Sequence, residues 1–298
     1  MTFRRSSIAN IYYTFSMQRL QSLKVMGNHL NQMYIKTQID LQDKNDWWIF
    51  GPLLCKKFVN QLYSLIILLH TSDTNNKHQK NKPITLDVST IWSIIRSLHE
   101  THATFFHLFM PCQNIEENIL RFRLWELDSI RSLLNFKRSH IQEDVKETIQ
   151  WRANNEAIIL HSINELKIFQ NLPEKVKHKL VENALWKASL EAPMKRISYD
   201  TLIKNTNIND SHFQDLYDYS SMHVHPAYGG VRQQDKLTRE ENEIMAYTAI
   251  MQGCFVTAFF IIDFKSRYEG AKTVFERIET DHQKLIVSFE QKGRRENK

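Results

Sequence analysis

Apolar residues recur at three- and four-residue steps through most of this chain, the spacing that lines one face of a helix. The pattern predicts helices over 8–45, 46–70, 87–110, 114–138, 140–170, 174–188, 211–224, 238–268 and 270–290. In the third of these, Trp92, Ile95, His99, His102, Phe106 and Phe109 form one stripe that faces a core or a neighbouring helix. Beside it Arg96, Glu100, Ala103 and His107 form a second line, in which Arg96 and Glu100 are an i,i+4 pair able to touch. Residues 244–262 carry no charge and would just span a bilayer. They include Gln252 and two threonines, however, and follow Thr238 with acidic residues after it, a helix-start pattern, so the expectation is the buried central helix of a bundle. The polar run HTSDTNNKHQKNKP, from residue 70 to 83, has no apolar side chain and reads as a loop. It divides an N-terminal helical segment, 1–70, from a bundle over 84–298, with 71–83 as the loop, unless the two parts form one continuous domain.

Composition sharpens the fold class. Seven glycines and six prolines in 298 residues leave little punctuation for the many turns of a sandwich or barrel. The class is therefore all-α, a multi-helix bundle, and no fixed-period repeat points to a solenoid. With 42% hydrophobic and 24% charged residues the chain has the composition of a soluble globular protein. Cys55, Cys112 and Cys254 are odd in number and far apart, which suggests a reducing, cytoplasmic compartment and no disulfide framework. The N-terminus has Arg4, Arg5, Arg19, Lys24 and Lys36 and no acidic residue before Asp40, and it reads as an amphipathic helix in preference to a targeting segment. A net charge of +6 is compatible with RNA as a partner without identifying it.

Candidate chemistry gathers in YDYSSMHVHP, Tyr217 to Pro226. Ser211 to Gln214 match a capping box, so a helix should begin there, and Pro226 disfavours helical geometry at His225, so it should end there. Tyr217, Ser221 and His225 stand at four-residue steps along one side, with the imidazole at the negative end of the helix dipole. The same residues also fit a bland reading, a helix C-terminus with a hydrogen-bonded tyrosine. His99 with His102, and His223 with His225, have the spacing of ligand pairs, but no cysteine stands near and no third ligand is defined, so no metal or other cofactor is expected.

Taken together, IIRSLHETHATFFHLF and, more than a hundred residues later, YDYSSMHVHP resemble the Arg-x-x-x-Glu-Thr helix and the Tyr-x-Tyr-x-Ser-x-x-x-His-Pro helix end of a large group of bacterial helical proteins with HEPN-like character. The resemblance spans roughly residues 46 to 268. It implies a bundle with a HEPN-like core in which Arg96 and Glu100 approach His225, with Tyr217 beside them as the catalytic set and Tyr219, Ser221, His223 and His107 as binding residues. It also implies a defence or toxin role and metal-independent ribonuclease activity; RNA, a cognate antitoxin or defence-system protein and a second copy in a homodimer are the partners expected, and the reading of 244–262 as a buried helix leaves no membrane among them. One departure bears on the enzymatic part. The local Arg-x4-6-His spacing of HEPN ribonucleases occurs at Arg96 with His102 and at Arg277 with His282, no more often than chance supplies, and no arginine precedes His225 at that distance. The alternative is a non-catalytic helical sensor or interaction module whose Arg96, Glu100 and His225 form a structural network.

Overall fold

The computed structural model describes residues 2–42, 47–78, 87–110, 114–134, 143–188, 196–209, 213, 217–222 and 238–295. It is all-helical, and among the described residues the extended pairings are two isolated bridges, Ala188 with Arg196 and Ile208 with Arg294. In chain order the helices are α1 (Thr2–Asp40), a 3-10 turn (Trp47–Ile49), α2 (Phe50–His78), α3 (Val88–Phe109), α4 (Ile115–Leu134), α5 (Glu143–Asn164) and α6 (Lys167–Gln170). They continue with α7 (Glu174–Glu182), α8 (Tyr199–Lys204), α9 (Arg239–Arg267), α10 (Glu269–Arg277) and α11 (Thr280–Gly293). The helices fall into two compact units, residues 1–106 with 203–298, and residues 107–202.

In the first unit α1 packs against α2, α9 and α10, and α9 against α10 and α11. Leu23, Met26, Leu30 and Met33 recur along α1 at helical steps and are fully buried. They meet a core built from Phe58 and Leu62 of α2, Trp92 and Phe105 of α3, and Phe259, Phe260 and Phe264 of α9. Phe260 is its centre, 4.5 Å from the ring of Phe58 and 4.9 Å from that of Phe105. Each such side chain stabilises the unit by about 1.5–3 kcal/mol through removal from water. The α1–α10 approach requires a glycine. A Cβ on Gly270 would stand 3.0 Å from the Thr37 Cα, a backbone atom that cannot swing aside.

The uncharged run predicted as a core helix forms most of α9. Ala249, Val256, Ala258 and Ile261 are buried, and Thr238 begins the helix through a capping box with Glu241, whose carboxylate accepts from the Thr238 N–H at 2.7 Å. By length and composition two stretches among the described residues, Trp47–His70 and Ile244–Arg267, could cross a membrane; 61% of the most apolar window of the second is buried inside the protein.

Several expectations shift, among them the helix expected over 174–188, which ends at Glu182. The polar run after residue 70 continues α2 as far as His78 in place of a loop from 71. The helix expected over 140–170 is two, separated at Glu165 and Leu166, and the one expected over 270–290 is broken at Ile278 and Glu279, both extended. The second break plants Ile278 in the core three residues after buried Phe275. The predicted helix end at His225 lies outside the described residues.

In the second unit α4 and α5 pack together and α6 lies on both. Arg131 ties the unit across its sequence, pairing with Glu156 at 2.8 Å while donating to the carbonyls of Val181 and Glu182 at the end of α7. There Leu185 donates to the Leu180 carbonyl and Ala184 to that of Val181, the Schellman pattern, with Ala184 at the left-handed position usually taken by glycine (φ 43°).

Candidate functional site

Helix α3 is the platform. Asp87 caps it, accepting from the Thr90 N–H at 3.0 Å and the Thr90 hydroxyl at 2.6 Å. The predicted stripe is the buried one, with Trp92, Ile95, His99, His102 and Phe109 all inside. One step round the helix, Arg96 and Glu100 are part-buried, their side chains 20% and 26% exposed, and their predicted contact forms as an ion pair with Arg96 Nε 2.8 Å from Glu100 Oε1.

Residues that are far downstream in sequence lie along this face in antiparallel order. Tyr219 meets Trp92 edge to face at 5.2 Å, the Arg96 guanidinium lies over the Tyr217 ring at 5.1 Å, and Phe213 meets His99 at 5.5 Å. The Tyr217 hydroxyl also donates to Glu100 Oε1 at 3.2 Å, so that one carboxylate oxygen receives both the arginine and the phenol. Burial and then the Glu100 charge push the Tyr217 phenol up to about 12, so it stays protonated and continues to donate. Burial opposes the charge on Arg96, but Glu100 outweighs it and holds the guanidinium above its ordinary value. Arg96 Nη1, Trp92 Nε1 and His99 Nδ1 are buried without a hydrogen-bond partner among the described residues.

The structure thus brings Arg96, Glu100 and Tyr217 into one cluster. Tyr219 reaches past it to the Met245 sulfur at 3.5 Å, and burial raises its phenol too. The Ser221 hydroxyl, expected to line the cleft, bonds back to the Tyr217 carbonyl at 2.8 Å, as does that of Ser220. His107 is committed elsewhere. It belongs to the second unit, where it is buried and donates Nε2–H to the Trp186 carbonyl at 2.8 Å. Burial, reinforced by the nearby Arg121 charge, pushes its pKa down to about 4. His223 and His225 lie outside the described residues.

A second polar cluster, deeper in the first unit, escaped the sequence reading. His102 donates Nε2–H to Asp263 Oδ2 at 2.8 Å, and Arg294 binds the other oxygen at 2.6 Å while also pairing with Glu290 at 2.7 Å. Arg294 donates as well to the Thr206 carbonyl at 3.2 Å and lies over Phe259 at 5.1 Å. The available signal was Asp263, the first charge after the uncharged run of α9 and therefore an acid within a buried stretch. Among the described residues no group of three or more His, Cys, Asp or Glu side chains is placed to enclose a metal ion.

Compared with known proteins, the chain matches no family model, no curated protein and no solved structure.

Proposed function

We propose that the protein is a HEPN-like bacterial protein of the defence or toxin type, whose Arg96 cluster cleaves RNA without a metal ion. The observation that supports this reading is the state of Arg96. Glu100 and Tyr217 fix the guanidinium on α3, while the side chain stays 20% exposed. A fixed guanidinium with donor capacity left over is the group that stabilises the charge of a pentacoordinate phosphorane.

In the reaction, the 2′ oxygen of a ribose forms a bond to the adjacent phosphorus and the bond from phosphorus to the 5′ oxygen breaks. The products are a 2′,3′-cyclic phosphate and a 5′ hydroxyl. His225 takes the 2′ proton, water supplies the proton for the leaving oxygen, and an Arg96 N–H binds a non-bridging oxygen. Tyr217 and Glu100 are positioning residues for the arginine. RNA is the substrate, a cognate antitoxin or defence-system protein is the regulator, and the cytoplasm is the place of action.

One observation favours a second reading, a non-catalytic sensor or interaction module. Glu100 is shared by two donors and both serines bond back into their own turn, so the cluster works equally well as a clamp holding 217–222 on α3. The test incubates the wild type, Arg96→Ala and His225→Ala with total RNA and tRNA in EDTA. Cleavage by the wild type and its loss in both variants, each still folded at the assay temperature, supports the nuclease. An inert wild type, with variants that melt several degrees lower, assigns the cluster to the clamp.

A further inference from the structure

His29 of α1 and His282 of α11 come from opposite ends of the chain, yet His29 Nε2 and His282 Nδ1 stand 3.1 Å apart. Their rings are 5.2 Å apart, with planes inclined by 53°. Two imidazole nitrogens that face one another cannot both carry a proton, so at least one presents a lone pair to its neighbour. The separation is also that of two ligands on one ion. Zinc–nitrogen bonds of about 2.0–2.1 Å, closed at roughly 90–110°, put the two nitrogens about 2.9–3.4 Å apart. As they stand the two nitrogens face one another along a hydrogen bond, and coordination requires both rings to turn so that their lone pairs meet at a point beside the line joining them.

The surroundings suit a cation that enters from solvent. The His282 side chain is 34% exposed, which leaves a path of entry, and Glu279 Oε2 lies 3.9 Å from His282 Nδ1. Glu279 precedes the first turn of α11, where its charge offsets the positive end of the helix dipole. Among the described residues no group of three or more His, Cys, Asp or Glu side chains is placed to hold a metal ion, so the two imidazoles would be the protein ligands here and Glu279 would stay outside the coordination sphere.

We infer that His29 and His282 form a binding site for a zinc-class transition-metal ion that fastens α1 to α11, with water completing the coordination and Glu279 as the neighbouring carboxylate. Imidazole suits zinc, copper and nickel, and no thiolate contributes. The site shares no residue with the Arg96 cluster, so its test is independent of the proposed cleavage.

The experiment titrates Zn2+ into the full chain by calorimetry and follows Co2+ binding by its visible absorption. His29→Gln, His282→Gln, Glu279→Gln and the double histidine variant are compared with the wild type. The double variant sets the baseline for binding by the remaining eleven of the 13 histidines. One Zn2+ per chain is expected in the wild type, with a rise in melting temperature. Either histidine change should weaken binding by at least about tenfold, the lower bound for losing even an outer partner of a metal site. The Glu279 change should weaken it less. Wild-type binding no tighter than that of the double variant overturns the site and leaves the pair as a shared hydrogen bond. If His29→Gln does not fold, His282→Gln, at a part-exposed position, decides the question alone.

Discussion

The Tyr217 hydroxyl donates to Glu100 Oε1 at 3.2 Å across 117 positions of sequence, while Arg96 approaches the same oxygen from one helical turn away. The carboxylate is thus the joint between a local pair and a long-range one. Because the cluster is part-buried, its worth is modest. Removing the phenol oxygen in Tyr217→Phe should destabilise the first unit by about 0.5–1.5 kcal/mol. In a double-mutant cycle with Glu100→Gln, urea unfolding should show a coupling of about 0.5 kcal/mol or more. Strict additivity of the two changes would show that the contact contributes nothing.

Arg294 presents a harsher case, because its partner Asp263 is buried and its own side chain is 16% exposed. In Arg294→Met the carboxylate keeps His102 as its neighbour but loses its cation. Leaving a buried charge uncompensated costs about 3–5 kcal/mol when one partner of an ion pair is removed. The imidazole should answer. Burial holds the His102 pKa down, Asp263 opposes this, and the Arg294 charge adds to the depression, so removal of the arginine should raise it. Two measurements check this, the urea midpoint and the histidine titration by NMR. A variant as stable as the wild type would mean that the Arg294–Asp263 pair contributes nothing net to the fold.

How much of this was legible in the sequence depends on the range of the interaction. The all-helical class, the stripe of Trp92, Ile95, His99 and His102, the Arg96–Glu100 contact and the start of α9 at Thr238 are fixed within a few turns of one helix, and periodicity or capping chemistry reported them. The breaks at Leu166 and Ile278 were not legible because neither carries glycine or proline. There the chain leaves the helix so that Ile278 enters the core, a tertiary preference that outweighs local propensity. The antiparallel match of Trp92, Arg96 and His99 with Tyr219, Tyr217 and Phe213 needs the docked partner before it can be seen. For the same reason spacing put His107 in line with Arg96, whereas the fold gives it the Trp186 carbonyl.

The uncharged stretch of α9 supports a prediction about the whole chain. Ala249, Cys254, Val256, Ala258, Phe259, Phe260 and Ile261 are all buried within the first unit, and 61% of the most apolar window of the helix is covered by the protein. The full chain should stay in the supernatant after ultracentrifugation without detergent. Recovery in the membrane pellet, with extraction by detergent alone, would overturn the reading of α9 as a core helix.

Acid should weaken both units through histidines that the fold keeps neutral. Burial, reinforced by His102, pushes His99 down to about 3 in the first unit, and burial with Arg121 pushes His107 down to about 4 in the second. The unfolded chain protonates both near pH 6.5. The sign follows from proton counts. Between pH 6.5 and the depressed folded values the unfolded state binds more protons, so the contribution of each histidine is complete above pH 6.5 and is lost as pH falls. From pH 6.5 to 5 the loss is about 2 kcal/mol per histidine, at about 1.4 kcal/mol per pH unit. His29 and His102, also held below their ordinary values, act in the same direction in the first unit. Most carboxylates titrate below this window, which isolates the histidine effect. Urea unfolding at pH 7.5, 6.0 and 5.0 should therefore show a steep fall in stability, and His99→Gln should reduce the slope for the first unit while leaving that of the second unchanged. An equally steep slope in the variant would show that His99 is charged in the folded protein, or that it faces water.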